Sequence, residues 1–77
     1  MLITIKYFGQ IAEVTQKEEE QLEVNENLVS GLLNTLCTKY SDLKNKDFQI
    51  AQNQELVDLD TELTGAEIAL LPPFAGG

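Results

Sequence analysis

Few side chains in this sequence have the chemistry to act alone. There is no histidine, which removes the commonest general base and the commonest metal ligand together. A single cysteine, Cys37, excludes an intrachain disulfide and the Cys-rich zinc and iron–sulfur sites. No metal site is expected. Asp58 and Asp60 are close in sequence, but carboxylates beside a turn are ordinarily solvated. The segment that stands apart is Pro72-Pro73-Phe74-Ala75-Gly76-Gly77. Two prolines end a strand, because neither can donate a backbone hydrogen bond. They favour an extended polyproline conformation that projects the next residues away from the body. Six residues reach roughly 20 Å when fully extended. Phe74 supplies one apolar anchor. Ala75, Gly76 and Gly77 form the slimmest peptide available, able to enter a tunnel too narrow for side chains. The reactive group such a strip brings is the carboxylate of Gly77.

A carboxylate is a poor electrophile until it becomes an acyl-adenylate, a thioester or a thiocarboxylate. The sequence carries no phosphate-binding loop, no base and no exposed nucleophile for that task. An outside enzyme must therefore activate Gly77 and another must use it. The expectation is a carrier whose cargo sits on its own C-terminus.

Composition narrows the setting. A chain of 77 residues makes one domain with a thin core, burying about 60% of its unfolded surface. Thirteen acidic residues face five lysines and no arginine, for a net charge of −8. This is a poor composition for binding nucleic acid. The acidity either serves solubility or attracts a basic partner surface. No apolar run approaches the roughly 20 residues that span a membrane, and Met1-Leu2-Ile3-Thr4 has no basic region ahead of it to suggest a signal peptide. The cysteine usage fits a reduced, cytoplasmic location.

The tail must be positioned by the elements that precede it. Leu2 to Phe8 alternates, with Ile3, Ile5 and Tyr7 on one face and Thr4 and Lys6 on the other, so a strand is expected. Gly9-Gln10 ends it, and residues 10–16 read as a loop or a short helical turn. A second strand is expected over Glu18 to Val24, beginning as an exposed acidic run. Asn27 is a candidate N-cap. Val29, Leu32, Leu33, Leu36, Cys37 and Tyr40 then fall on one stripe of a helix of about 3 turns. Gly31 interrupts it, costing on the order of 1 kcal/mol against Ala, and suggests close packing on a sheet. Cys37 on that stripe reads as a small core hydrophobe. Residues 41–47 look like a polar connection. Phe48, Ile50 and Gln52 begin a short strand, Asn53-Gln54 is a turn, and Leu56, Val57 and Leu59 come next. Gly65 suits the left-handed conformation of a tight turn. Ala66 to Leu71 is the last strand, with Ile68 and Leu70 on one face.

A hairpin, one helix and a return to the sheet is the α+β pattern of a β-grasp, or ubiquitin-like, fold. It implies a mixed sheet with one main helix packed across it, and first and last strands central and parallel. Residues 1–71 would form this domain and 72–77 an extended, flexible Gly-Gly tail.

The sequence resembles the MoaD-type sulfur carriers, the small subunits of molybdopterin synthase, along essentially its whole length. Three stretches carry the likeness: Tyr7-Phe8-Gly9-Gln10-Ile11-Ala12-Glu13; Ile50-Ala51-Gln52-Asn53-Gln54-Glu55; and Leu63, Gly65, Glu67 and Ala69 leading to Pro72-Pro73-Phe74-Ala75-Gly76-Gly77. Thr64 and Ala66 depart from the acidic residues usual around the turn glycine, and Leu28 stands where a Thr cap is common. The resemblance implies that Gly77 is adenylated with ATP by a ubiquitin-activating-enzyme-like adenylyltransferase. A sulfur-mobilising system then makes the thiocarboxylate. The tail would enter the large subunit and give sulfur to cyclic pyranopterin monophosphate, in an assembly of two small and two large subunits. The catalytic lysines and the nucleotide site would belong to the partners, so this chain is not an enzyme on its own and binds no cofactor.

Within that frame Phe74 would anchor the tail at the mouth of the tunnel, and Pro72 and Pro73 would lower the entropy lost on docking. Phe8, on the opposite strand face from Ile3, Ile5 and Tyr7, is either an exposed partner contact or part of a minor second core. Two rival readings stand beside the molybdopterin one. The first is a carrier for another pathway of the thiazole or thiamine type. The second is a plain β-grasp interaction domain, which would not need its last carboxylate. A ubiquitin-like protein modifier fits less well, because that class lacks the Pro-Pro step.

Overall fold

The alternation of Ile3, Ile5 and Tyr7 produces the expected strand, β1 (Leu2–Tyr7), in the computed structural model, which describes residues 1–73. The chain continues through a short helix α1 (Gln10–Thr15), β2 (Glu19–Glu23), α2 (Val29–Lys39), a 3-10 helix (Ser41–Asn45), β3 (Gln49–Gln52), β4 (Glu55–Val57) and β5 (Ile68–Leu71). The five strands form one sheet in the order β2-β1-β5-β3-β4. β1 and β5 run parallel, with Ile5 opposite Ile68 and Tyr7 opposite Leu70; the other pairings are antiparallel. This is the mixed β-grasp sheet with a helix across one face, and its first and last strands are paired in its interior.

Register puts one side chain in two on the helix side. Ile3, Ile5, Ile68 and Leu70 are fully buried there, and α2 answers with Val29, Leu32 and Leu36. Leu33, Cys37 and Tyr40 pack against this core from the flank of the stripe. Burying one such aliphatic side chain is worth about 1.5–3 kcal/mol, so these few residues supply most of the force that closes a domain this small.

Several expectations are corrected. Asn27 is not the N-cap: α2 starts after Leu28, and no side chain caps it. Its first N–H groups are satisfied by main chain instead, Val29 donating to Thr61 O at 2.9 Å and Ser30 to Leu59 O at 3.0 Å. Leu28 and Glu62 form an isolated antiparallel bridge beside them. Gly31 does not serve the sheet. A Cβ there would stand 2.6 Å from Glu26 Oε2 and 2.9 Å from Glu26 Cβ, so the glycine makes room for the incoming chain. Residues 41–47 are more than a polar connection, because their 3-10 helix drops Leu43 into the core at 1% exposure. The acidic run does not simply open an exposed strand: β2 begins at Glu19, and Glu20 shares the inward register with Leu22, opposite Ile5.

Glu20 is the polar pin of the fold. Its side chain is 8% exposed. Tyr7 and Tyr40 both donate their hydroxyls to Oε2 at 2.6 Å, and Lys39 Nζ donates to Oε1 at 2.6 Å. Burial works to raise the Glu20 pKa. Hydrogen bonds from Lys39, Tyr40 and Tyr7 and the Lys39 charge outweigh it and hold the carboxyl at about 2, against an ordinary 4.5. Tyr7 is pushed well above the usual phenol range, first by burial and then by its hydrogen bond to Glu20 and that carboxylate's charge. The two rings meet edge to face at 6.2 Å. One carboxylate thereby ties the edge strand β2 to β1 and to the last turn of α2.

The remaining turns obey residue chemistry. Asn53 and Gln54 join β3 to β4 with both φ angles positive, at 54° and 68°. This is the two-residue hairpin geometry whose twist matches the strands. Gly65 has φ 91°, the conformation expected of it. The last strand begins at Ile68 rather than Ala66. Gln52, 7% exposed, staples the approach to β5, donating to Glu62 O at 3.0 Å and accepting from Thr64 N–H at 3.1 Å.

Candidate functional site

The site begins where β5 ends. β5 is held on both sides, by β1 in parallel and by β3 in antiparallel pairing, with Leu71 opposite Gln49. One residue past β1, Phe8 donates its N–H to Leu70 O at 3.1 Å. The pairing thus continues to the last residues before Pro72. Pro72 and Pro73 are half-buried at this point. They leave the sheet beside the turn that joins β1 to α1.

That turn is built around Gly9. Its φ of 58° and ψ of −133° lie outside the regions open to a residue with a Cβ. The turn is fixed on its other side by α1, with Ile11 N–H bonded to Phe8 O and Ala12 N–H bonded to Gly9 O, each at 3.1 Å. Ile11, 1% exposed, anchors α1 in the core. A Cβ on Gly9 would come within 2.8 Å of Pro72 Cγ. The turn and the first tail proline are therefore in direct contact.

Phe8 projects beside this junction at 44% exposure. It is a surface residue rather than part of a minor core. Lys6, Phe8, Gly9, Ala12, Glu18 and Glu19 line a shallow groove of about 430 Å³ there. Lys6 pairs with Glu67 at 3.3 Å across the neighbouring strand, an exposed contact worth at most about 1 kcal/mol.

The structure brings Phe8, Pro72 and Pro73 together at one end of the central strands. Phe74, Ala75, Gly76 and Gly77 lie outside the described residues. Gly9 is the site residue to which the sequence gives no role of its own, beyond ending β1 and lying in the first family-resembling stretch; a lone glycine after a strand is the available signal. Asp58 is engaged locally, accepting from Thr61 Oγ1 at 3.0 Å. Among the described residues, no group of three or more Cys, Asp or Glu is placed to hold a metal ion, and no helix is long and apolar enough to cross a membrane.

A β-grasp domain whose central strand runs out through two prolines toward Gly-Gly defines the class of small ubiquitin-like carriers. The chain belongs to the ThiS family, whose model matches residues 5–77. It is a ThiS- and MoaD-like β-grasp sulfur carrier. It is similar to a chain in the complex of subunits 1 and 2 of the molybdopterin-converting factor from Helicobacter pylori, with 31% identity, all of both chains covered and a TM-score of 0.72. Its fold matches the putative molybdopterin converting factor subunit 1 of Pyrococcus furiosus at a TM-score of 0.88, with 24% identity over 96% of this chain and 99% of that one. It also matches SAMP1 of Haloferax volcanii at a TM-score of 0.82, with 24% identity over the whole of both chains. The Helicobacter pylori relative is a member of a two-subunit complex.

Proposed function

We propose that this chain is the sulfur-carrying small subunit of a molybdopterin synthase. The observation that carries this reading is the 31% identity to the Helicobacter pylori converting-factor chain along the whole of both chains. A central strand that feeds directly into Pro72-Pro73 supports it. A ubiquitin-activating-enzyme-like partner brings ATP. An oxygen of the Gly77 carboxylate attacks the α-phosphorus, pyrophosphate leaves, and an acyl-adenylate remains. Hydrosulfide from the sulfur-mobilising system then attacks the Gly77 carbonyl carbon, the bond to the AMP oxygen breaks and AMP leaves, and a thiocarboxylate remains. The large subunit receives the tail and supplies the catalytic residues that pass this sulfur to cyclic pyranopterin monophosphate. Two small and two large subunits make up the assembly.

This chain's own residues position and present the tail. Pro72 and Pro73 reduce the freedom lost on docking. Phe74 anchors the strip at the tunnel mouth, and Ala75, Gly76 and Gly77 pass within. Phe8 touches the partner beside the tail. The net charge of −8 speeds encounter with basic partner surfaces.

A second reading, compatible with membership of the ThiS family, is a carrier for another pathway of the thiazole or thiamine type. The test is mass spectrometry of the intact protein after incubation with ATP, the adenylyltransferase and a sulfur source. The expected product has one oxygen replaced by sulfur, and fragmentation must place it on Gly77, since oxidation of Met1 or Cys37 shifts the mass almost equally. The loaded carrier is then offered cyclic pyranopterin monophosphate with the large subunit, or the thiazole-forming enzyme. Dithiolene formation identifies the first acceptor. An unmodified Gly77, with another carrier converted in the same mixture, would overturn the carrier role and favour a plain interaction domain.

A further inference from the structure

The contact between Gly9 and Pro72 joins two parts of the chain that the proposed reaction has no reason to bring together. Gly9 is a turn residue that touches no reactant. Yet its missing Cβ is the space that Pro72 occupies: a Cβ there would stand 2.8 Å from Pro72 Cγ, 3.8 Å from Cδ and 3.9 Å from Cβ. The turn cannot yield easily. Phe8 N–H is bonded to Leu70 O on one side, and Ala12 N–H to Gly9 O on the other. Pro72 cannot yield easily either, because its ring fixes φ and Leu71 before it is paired with Gln49.

We propose that Gly9 is a positioning residue for the tail: its bare α-carbon forms a seat for the Pro72 ring that sets the direction in which the chain leaves β5. This rests on the carrier reading above. Ordinary van der Waals contact begins at 3.4 Å, so an added methyl must displace the ring by about 0.6 Å. Pro72 is the first residue past β5, so a displaced ring redirects the chain at the point where it leaves the sheet. Misplacement of about 1 Å at a reacting group can cost 10²-fold in rate. The seat thus couples the β1–α1 turn to the aim of the Gly77 carboxylate.

The test uses the full chain. In two-dimensional NMR, the Gly9 α-protons should show an Overhauser contact to the Pro72 γ-protons; its absence would overturn the seat. ATP–pyrophosphate exchange is then measured with an adenylyltransferase of the ubiquitin-activating type from the same cell. Gly9→Ala should lower kcat/KM at least 10-fold at temperatures where circular dichroism shows the variant folded. Pro72→Gly alone should lower it only a few-fold. In the double variant the Gly9→Ala penalty should be clearly smaller than in the wild-type background, because the added methyl then meets no ring and only the strain of Gly9's own φ and ψ remains. If Gly9 mattered only for its own backbone conformation, its penalty would persist undiminished in the double variant, and the inference would fall. Wild-type exchange with Gly9→Ala unaffected would overturn the seat alone. No exchange with the wild-type chain, while another carrier is activated in the same assay, would overturn the carrier reading and the seat with it.

Discussion

Glu20→Gln is expected to destabilise this domain by about 2–3 kcal/mol at neutral pH, and to do so in a pH-dependent way. Glutamine keeps the size and can still accept from the two tyrosines. It cannot accept from Lys39 or Lys17 through its nitrogen, and it loses the charge that draws all four donors. The magnitude comes from the carboxyl itself. A pKa lowered from 4.5 to about 2, at about 1.36 kcal/mol per unit, corresponds to roughly 3 kcal/mol. Because the folded pKa is depressed, this contribution is fully present above the unfolded value of 4.5 and is lost as pH falls through about 2. The gap between wild type and variant should therefore be constant above about pH 5 and close steadily below it. In a chain of this size, 1 kcal/mol moves Tm by about 4–8 °C, so a neutral-pH drop of about 10–20 °C is expected. The assay is urea and thermal unfolding by circular dichroism from pH 7 to pH 2.5. A gap under 0.5 kcal/mol (about 2–4 °C by the same scaling), or one unchanged between pH 7 and pH 3, would refute the reasoning.

Deleting Gly77 should abolish thiocarboxylate formation and Gly77→Ala should cripple it, while thermal unfolding of both variants stays near wild type; near-normal sulfur transfer from the deletion would end the carrier proposal. Gln54→Gly should stabilise the β3–β4 hairpin by about 0.5 kcal/mol. A left-handed residue with a Cβ carries about 1 kcal/mol of strain, partly offset by glycine's looser unfolded chain; an unchanged or lower Tm would contradict this. Gly31→Ala should be destabilising in spite of its better helix propensity, because Glu26 Cβ lies 2.9 Å from the new atom. In a Glu26→Gly background the same change should raise Tm.

The parts of the fold that were legible from sequence are those dictated by periodicity. Ile3, Ile5 and Tyr7 repeat at two, and Val29, Leu32 and Leu36 at three and four, and each set is buried as a unit. The positive φ of Asn53 and the turn at Gly65 arise from single-residue chemistry. The hidden parts depend on partners distant in sequence. Glu20 looks like one of three solvated acids until Tyr7 and Tyr40, 13 and 20 residues away, are brought to it. The start of α2 carries no side-chain cap because carbonyls of Leu59 and Thr61 take that role, and main-chain atoms leave no mark in a sequence. Leu43 is a single apolar residue among polar ones, too isolated for any period to reveal. At the candidate site, Pro72, Pro73 and Phe8 were read directly, whereas Gly9 required its contact with Pro72 to be seen. The expectations for Phe74, Ala75, Gly76 and Gly77 rest on their chemistry and on family resemblance.

The position of β5 has a mechanical consequence. A pull on the tail is transmitted to a strand bonded to β1 on one side and to β3 on the other. Load along such a strand strains the bonds of both ladders together, as in shear. A pull on β2 or β4, each bonded along one side, opens bonds one after another, as in unzipping. The segment proposed to meet a partner is thus tethered to the strand bonded on both sides. In single-molecule pulling, a handle beyond Pro73 paired with one on β1 or β3 should rupture at a higher force than a handle on β4. Equal forces would show that the sheet yields elsewhere first.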